Sequence, residues 1–168
     1  FATELGRNPS RYRELAARTR AGFCRFHRGA GLGLFDLLDG PEGDDPSVRP
    51  NQIFAVSLHH SPLDPEVQAD VVAECGRTLL CSYGLRTLAP DHGDYHGHYG
   101  GDVHRRDRAY HQGSVWAWLL GHYALAEYQV SADADAAQAR LAPIADHLAD
   151  AGLGTVSEIF DGDPPHHP

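Results

Sequence analysis

The chain has 168 residues, of which 42% are hydrophobic and 22% are charged, and its formal net charge is −9. This composition is typical of one globular domain with a sizeable hydrophobic core. The acidic balance argues against nucleic acid or an anionic membrane as partner, because both are bound by basic surfaces. No apolar run approaches the roughly 20 residues of a membrane span. We therefore expect neither a nucleic-acid nor a membrane partner.

The cysteine and methionine usage carries two further expectations. Cys24, Cys75 and Cys81 lie in apolar or helical surroundings. They predict buried free thiols in a reducing compartment, and therefore a cytoplasmic protein. The chain contains no Met, and all 14 of its basic residues are Arg. The missing Met and the abrupt end at Pro168 predict a piece of a longer protein.

The first half of the chain predicts three helices and one strand. Asn8 is a candidate cap for a helix over 9–26 that buries one apolar face. A short strand is predicted at 34–39. A second, largely apolar helix is expected over 51–58, and a third over 64–79 carries a single clean apolar stripe.

The second half predicts a long irregular region followed by two helices. Residues 82–110 are rich in Gly, His, Asp and Tyr. A helix over 113–128 is apolar almost all round, which predicts burial on most sides. An amphipathic helix should follow, capped by Ser131 and stopped by Gly152. The fold class is mainly α, and the alternation of buried and amphipathic helices predicts paired inner and outer helices of a helical barrel.

One polar-to-aromatic motif spans 107–118 and predicts a sugar-binding surface. His111 and Gln112 can donate hydrogen bonds, Gly113 would let a ligand approach the backbone, and Trp116 offers a flat apolar face. Sugars are bound in this way, through aromatic faces and planar polar groups. The competing interpretation is that both tryptophans are core residues and the polar side chains cap the helix.

The segment 49–52 opens the second helix in a similar style. Asn51 is a candidate helix cap, while Arg49 and Gln52 are expected to face the rim of a site. Capping together with a surface salt bridge explains the same residues, and this segment alone favours that simpler interpretation.

The remaining motifs predict neither a metal site nor a cofactor. The loop 91–104 contains several His and Asp residues, but no zinc-ligand spacing occurs in it. The pairs at 59–60 and 166–167 give no such spacing either. The chain also has no nucleophile elbow, no phosphate-binding Walker loop, no dinucleotide fingerprint and no indicated Cys/His pair.

Glu158 is the best single candidate for a catalytic group. It lies beside Val156, Ile159 and Phe160, and a cleft that desolvated it would raise its pKa toward the range of a general base. The charges of Asp161 and Asp163 would raise that pKa further. The competing interpretation is an exposed loop glutamate near a Pro-rich tail.

Five segments together carry a resemblance to a known family. They are RPNQIFAVSL (49–58), GLRTLAP (84–90), YGGDV (99–103), DRAYHQGSVWAWLLG (107–121) and GTVSEIFDGDPPH (154–166). In this order and spacing the chain resembles the C-terminal catalytic domain of bacterial and archaeal-type glycogen debranching enzymes, the amylo-α-1,6-glucosidase family. Ala117 stands where the family usually has Pro, and Ser114 replaces a common Thr.

The resemblance implies a fold and an activity. Residues 1–168 would be a partial C-terminal catalytic domain, part of an (α/α)6 toroid barrel whose N-terminal part and final helix lie outside the chain. The family hydrolyses α-1,6 branch points of glycogen or limit dextrin with inversion, and Glu158 would be its general base. The general acid would lie upstream, so this chain alone is expected to be inactive or nearly so.

The resemblance also implies the binding residues and the ligands. The residues expected to shape the sugar pocket are His111, Gln112, Trp116, Arg49, Asn51 and Tyr110. The expected ligands are glycogen, limit dextrin or a maltooligosaccharide. Two alternatives stay open: another inverting barrel glucosidase of the glucoamylase or trehalase kind, and a non-catalytic glycan-binding helical module.

Overall fold

The computed structural model describes residues 1–168 and combines helices with two small sheets. The helices are α1 (Ser10–Phe23), α2 (Phe54–Ser57), α3 (Pro65–Thr78), α4 (Val103–Tyr110), α5 (Leu119–Ser131), α6 (Ala134–Ala139) and α7 (Ala142–His147). The strands are β1 (Leu37–Gly40), β2 (Gly43–Asp45), β3 (Leu80–Cys81), β4 (Gly84–Arg86), β5 (Val115–Trp116) and β6 (Ile159–Phe160). None of the helices combines the length and apolarity that a membrane span requires.

The larger sheet joins parts of the chain that are far apart in sequence. Its order is β3-β4-β5-β6, and all neighbouring strands are antiparallel. Leu85 pairs with Trp116, and Trp116 pairs in turn with Ile159. The sheet therefore fixes the C-terminal segment beside the polar-to-aromatic motif.

The main core lies between α2, α3, α5 and strand β4. The predicted stripe of α3 is confirmed, since Val71, Val72, Cys75 and Leu79 are all buried. A local apolar period and Pro65 in the first turn suffice to specify this helix. A smaller buried cluster in this sheet consists of Cys81 of β3, Val115 of β5 and Phe160 of β6.

The first helix forms as predicted, but its expected buried face is wrong. The Asn8 Oδ1 accepts a hydrogen bond from the Ser10 amide at 2.9 Å, just ahead of α1. No residue of α1 is buried, and Tyr12 and Leu15 are exposed. The only element with which α1 makes extensive contact is the 3-10 turn Cys24–Phe26 that follows it.

Two predicted elements in the first half shift in their boundaries. The strand predicted at 34–39 is observed as β1, which pairs with β2 in a hairpin. The helix predicted over 51–58 begins as a 3-10 turn, Pro50–Ile53, and continues as α2. Ile53 and Val56 are fully buried, as its apolar character predicted.

The prediction of an irregular region over 82–110 is wrong at both ends. Strand β4 occupies its start, and helix α4 occupies its end. Asp102 caps α4 by accepting a hydrogen bond from the Arg105 amide at 3.0 Å. An Asp at this position is a start signal that the sequence interpretation overlooked.

The helix predicted over 113–128 begins later than expected. Val115 and Trp116 form β5, and α5 begins only at Leu119. Both residue types favour strands, and pairing with β4 and β6 decides the local conformation. Burial of α5 is also partial, because Leu125 and Tyr128 on its outer side are exposed.

The last predicted helix is two short helices. Asp133, not Ser131, caps α6 by accepting from the Ala136 amide at 2.9 Å. Pro143 lies in the first turn of α7, where a missing amide proton costs least. The cysteines also differ from prediction in part: all three are free, but Cys24 is exposed.

Candidate functional site

Glu158 is positioned by the four-stranded sheet. It directly precedes β6, whose Ile159 pairs with Trp116 of β5. Of the two settings that the sequence left open, the structure has the exposed one, because Glu158 is exposed and so is Val156. Of the flanking apolar residues only Phe160 is buried, where it contributes to the small cluster in the sheet. The carboxylate is therefore accessible to water and to a ligand.

Tyr110 is the side chain that holds this carboxylate. Its hydroxyl donates a hydrogen bond to Glu158 Oε2 at 3.0 Å. That hydrogen bond, more than any burial, raises the pKa of the Tyr110 phenol. Tyr110 is the last residue of α4, so the helix end and the strand start meet at this contact.

Trp116 and His111 pack beside Tyr110. The Trp116 indole Nε1 donates to the Tyr110 carbonyl oxygen at 3.0 Å. The His111 ring lies nearly parallel to the indole, with centroids 5.8 Å apart, and the Tyr110 ring meets the indole edge-on at 4.7 Å. Trp116 is half-buried and His111 is exposed. The three rings therefore form a continuous aromatic surface that leads to Glu158.

Arg49 ties the second helix to this aromatic surface. Its guanidinium donates to Gln112 Oε1 at 2.7 Å, to the His111 carbonyl oxygen at 3.0 Å and to the Thr87 carbonyl oxygen at 3.1 Å. Because Gln112 Oε1 accepts from Arg49, its amide NH2 stays free to donate to a ligand. Arg49 thus orients Gln112 while its own side chain is largely covered.

Asn51 reaches the same network through Asp36, a residue that the sequence interpretation missed. Asn51 Nδ2 donates to Asp36 Oδ1 at 3.0 Å, and Asp36 Oδ2 lies 3.7 Å from Arg49 Nε. The expected capping role of Asn51 is wrong, since its side chain makes no cap hydrogen bond. Gln52 was expected at the rim but is buried, where its amide accepts from Leu34 N and donates to the Arg49 carbonyl oxygen.

The acidic residues after Glu158 form hydrogen bonds with the loop 95–99. Asp161 accepts hydrogen bonds from His98 Nδ1 and from the Tyr99 amide, both at 2.7 Å. Asp163 accepts from the Tyr95 hydroxyl at 3.0 Å, and burial together with this bond raises the pKa of Tyr95 to about 12. Both carboxylates therefore hold the C-terminal turn against the loop 95–99.

Gly113 also has a different role from the one predicted. It is buried, with a φ of +155°, and a Cβ there would collide with the His96 carbonyl oxygen. Gly162 packs equally closely, since a Cβ there would collide with the Gly113 carbonyl oxygen. Gly113 thus admits neighbouring backbone, and the prediction that it admits a ligand is wrong.

An open groove of about 600 Å³ extends from Glu158 along β5 and the start of α5. Its lining includes Trp116, Trp118, Ile144 and Val156. Trp118 is exposed and stacks on Phe54 with ring centroids 5.7 Å apart. Trp118 was not among the predicted site residues, because the helix predicted over 113–128 was expected to be buried on most sides.

All seven predicted site residues lie in one connected network. It runs from Asn51 through Asp36 and Arg49 to Gln112 and His111, and then through Trp116 and Tyr110 to Glu158. No group of three or more His, Cys, Asp or Glu residues that could hold a metal ion is found. Chemically, the arrangement offers an accessible carboxylate next to aromatic faces and hydrogen-bond donors.

Comparison with known proteins gives two matches. The family model described as Amylo-alpha-1,6-glucosidase matches residues 1–168. A protein of Saccharomyces cerevisiae named "Glycogen debranching enzyme" is 29% identical over 90 residues. That alignment covers 50% of this chain and 6% of the relative's length.

Proposed function

This chain belongs to the amylo-alpha-1,6-glucosidase family, and on that basis we propose that it is part of a glycoside hydrolase acting on α-1,6 branch points. The substrate would be glycogen, a limit dextrin or a branched maltooligosaccharide, in agreement with the name of the yeast relative. The domain would form part of a cytoplasmic protein's (α/α)6 barrel, and the remaining barrel helices would come from elsewhere in that protein. The mixed helix and small-sheet architecture is compatible with this arrangement.

In the proposed reaction Glu158 is the general base of an inverting hydrolysis. It would take a proton from the water that attacks the anomeric carbon, while a carboxylic acid about 6.5–9.5 Å away protonates the leaving oxygen. The observation that carries this role is the Glu158 carboxylate itself, which is exposed and held at 3.0 Å by Tyr110 beside an aromatic surface. A base of this kind needs both access to water and a fixed orientation.

The sugar would bind along the aromatic surface. Trp116 would contact the apolar face of a glucose ring, and His111 and the free amide NH2 of Gln112 would donate to its hydroxyls. Arg49 and Asn51 would contribute indirectly, because Arg49 orients Gln112 and Asn51 holds Asp36 against Arg49.

The test is glucose release from a branched limit dextrin. The assay compares the 168-residue chain with a protein in which the same domain is preceded by the family's acid-bearing region. We expect glucose from the longer protein, initially as the β-anomer, and little or none from this chain. Hydrolysis confined to α-1,4 or α,α-1,1 linkages would contradict the proposal, as would full activity of the 168-residue chain.

Tyr110 gives a sharper prediction about the site. The Tyr110 hydroxyl donates a hydrogen bond to Glu158, and Tyr110→Phe removes it. In the longer protein this variant should therefore lower kcat about tenfold or more and change KM less than about twofold. A hydrogen bond to a charged group contributes roughly 1.5–3 kcal/mol, and a tenfold rate change corresponds to about 1.4 kcal/mol. Steady-state kinetics on the branched dextrin separate the two constants.

The matched control for this prediction is Tyr99→Phe. The Tyr99 ring packs against Tyr110 at 6.0 Å, but its hydroxyl takes no part in the network. We expect near-normal kinetics from this control. A rise in KM with unchanged kcat in Tyr110→Phe would instead assign Tyr110 to substrate binding.

A further inference from the structure

A second cavity lies next to the candidate site and has an entirely polar lining. It encloses about 440 Å³ and is formed by His96, His98, Gly100, Gly101, Arg105 and Arg108. It adjoins the site because Tyr99, which follows His98, packs against Tyr110. The whole chain has a net charge of −9, yet no carboxylate residue is part of this lining. The cavity is therefore a positively charged region in an acidic protein, and it favours the binding of anions.

The two guanidinium groups have little compensation within the protein. Arg105 and Arg108 are three positions apart on α4, so they share a helix face where like charges repel. The nearest carboxylate to Arg105 is Asp102, at 4.0 Å, and both side chains of that pair are largely exposed. Arg108 makes neither a side-chain hydrogen bond nor an ion pair. Both arginines are thus free to bind a ligand.

The histidines are held in place by their far ring nitrogens. His98 Nδ1 contacts Asp161, whose carboxylate is largely buried, and His96 Nδ1 lies 2.9 Å from the Asp94 carbonyl oxygen. The Nε2 atom of each ring is left without a partner. Two histidines without a third ligand do not make a metal site, and the adjacent guanidinium charges would repel a cation.

The loop that carries these groups is fixed from both sides. The Asp163 amide donates to the Gly97 carbonyl oxygen at 3.0 Å, and Arg106 donates to the Gly101 carbonyl oxygen at 2.7 Å. The cavity is therefore preorganised, which reduces the entropy that a ligand must overcome on binding.

We propose that this cavity binds a phosphate group, either as inorganic phosphate or as the phosphate monoester of a sugar. Guanidinium groups match phosphate oxygens with paired hydrogen bonds, and a dianion would relieve the repulsion between Arg105 and Arg108. His96 and His98 add donors for the remaining oxygens when they are protonated. The volume exceeds that of one phosphate and leaves room for an attached sugar ring. The site is independent of the hydrolytic role of Glu158.

The test is titration of the protein with sodium phosphate at low ionic strength, followed by calorimetry and by the NMR signals of the histidine rings. Arg108→Gln and Arg105→Gln should each weaken binding about tenfold or more, since a charge-assisted hydrogen bond contributes at least about 1.5 kcal/mol. Arg20→Gln is the matched control, because it removes the same charge from an exposed position on α1.

A second titration, with glucose 6-phosphate in place of phosphate, distinguishes the two candidate ligands. Tighter binding of the ester assigns the site to a sugar phosphate, and equal binding assigns it to the free anion.

Three results would overturn the proposal. One is an equal loss of binding in Arg20→Gln and Arg108→Gln, which would indicate only a net-charge effect. Another is equal competition by chloride at matched ionic strength. The third is binding that does not saturate below about 10 mM phosphate. Both cavity arginines are exposed, so the variants are expected to fold, and circular dichroism checks this.

Discussion

Glu158→Gln is expected to lower the rate of branch-point hydrolysis by about 10²–10⁴-fold, the usual contribution of a general acid–base group. The substitution keeps the shape of the side chain, and its amide oxygen can still accept the hydrogen bond from Tyr110. It removes only the ability to take a proton from water. The measurement is glucose release by the acid-bearing longer protein at saturating branched dextrin.

Binding should survive this change, and that separates a base from a binding residue. Trp116 lies beside Tyr110, so its fluorescence offers a direct titration with maltooligosaccharide. We expect the dissociation constant of Glu158→Gln to stay within about threefold of the parent, because a base acts mainly in the transition state. Glu42→Gln, an exposed position in the β1–β2 hairpin, is the matched control and should change neither constant.

Two outcomes would reject the assignment. Retention of more than about a tenth of the activity would mean that another group activates the water, since a general base contributes at least about 10²-fold. Parallel losses of binding and of rate would place Glu158 among the groups that hold the sugar. If the domain is instead a non-catalytic glycan-binding module, the unsubstituted longer protein would bind maltooligosaccharide but would not hydrolyse branched dextrin.

Where the sequence predicted the fold correctly, a local pattern was sufficient. Helix α3 is the example: its apolar stripe and Pro65 determine both its face and its start. The error over 113–128 shows the opposite case. Trp116 is in a strand because it pairs with Leu85 and Ile159, and neither partner is visible from the residues around it. The (α/α)6 barrel remains a prediction from the resemblance.

The candidate site, like the fold, could be predicted from the sequence only in part. Polar and aromatic motifs identified Gln112, Trp116 and Glu158 as residues of interest, but not how they contact one another. Asp36 was missed because nothing nearby in sequence marks it as the link between Asn51 and Arg49. Glu158 is exposed although its sequence neighbours are apolar, because such neighbours desolvate a side chain only when they pack around it.

Phe160→Ala is expected to destabilise the fold by about 3–5 kcal/mol, the range for removing a fully buried aromatic side chain. Phe160 is 1% exposed, stacks on Tyr83 with centroids 4.5 Å apart and meets His147 edge-on at 4.8 Å. It is also the residue through which β6 pairs with Val115. Loss of the ring therefore removes core packing and the anchor of the segment that carries Glu158.

Urea unfolding measures this effect, with the slope of the transition as a check that the unfolded state is unchanged. Because a domain has only about 5–15 kcal/mol of stability, Phe160→Ala can leave too little folded protein to measure. Phe160→Leu then serves as the milder variant. Its free energy of unfolding should lie between those of Phe160→Ala and the parent, since leucine keeps part of the buried volume.

Leu153→Ala, at a position that is 82% exposed, is the control, and its free energy of unfolding should stay within about 0.5 kcal/mol of the parent's. A loss below about 1 kcal/mol in Phe160→Ala would show that the small cluster does not anchor β6. Glu158 would then owe its position mainly to its hydrogen bond with Tyr110.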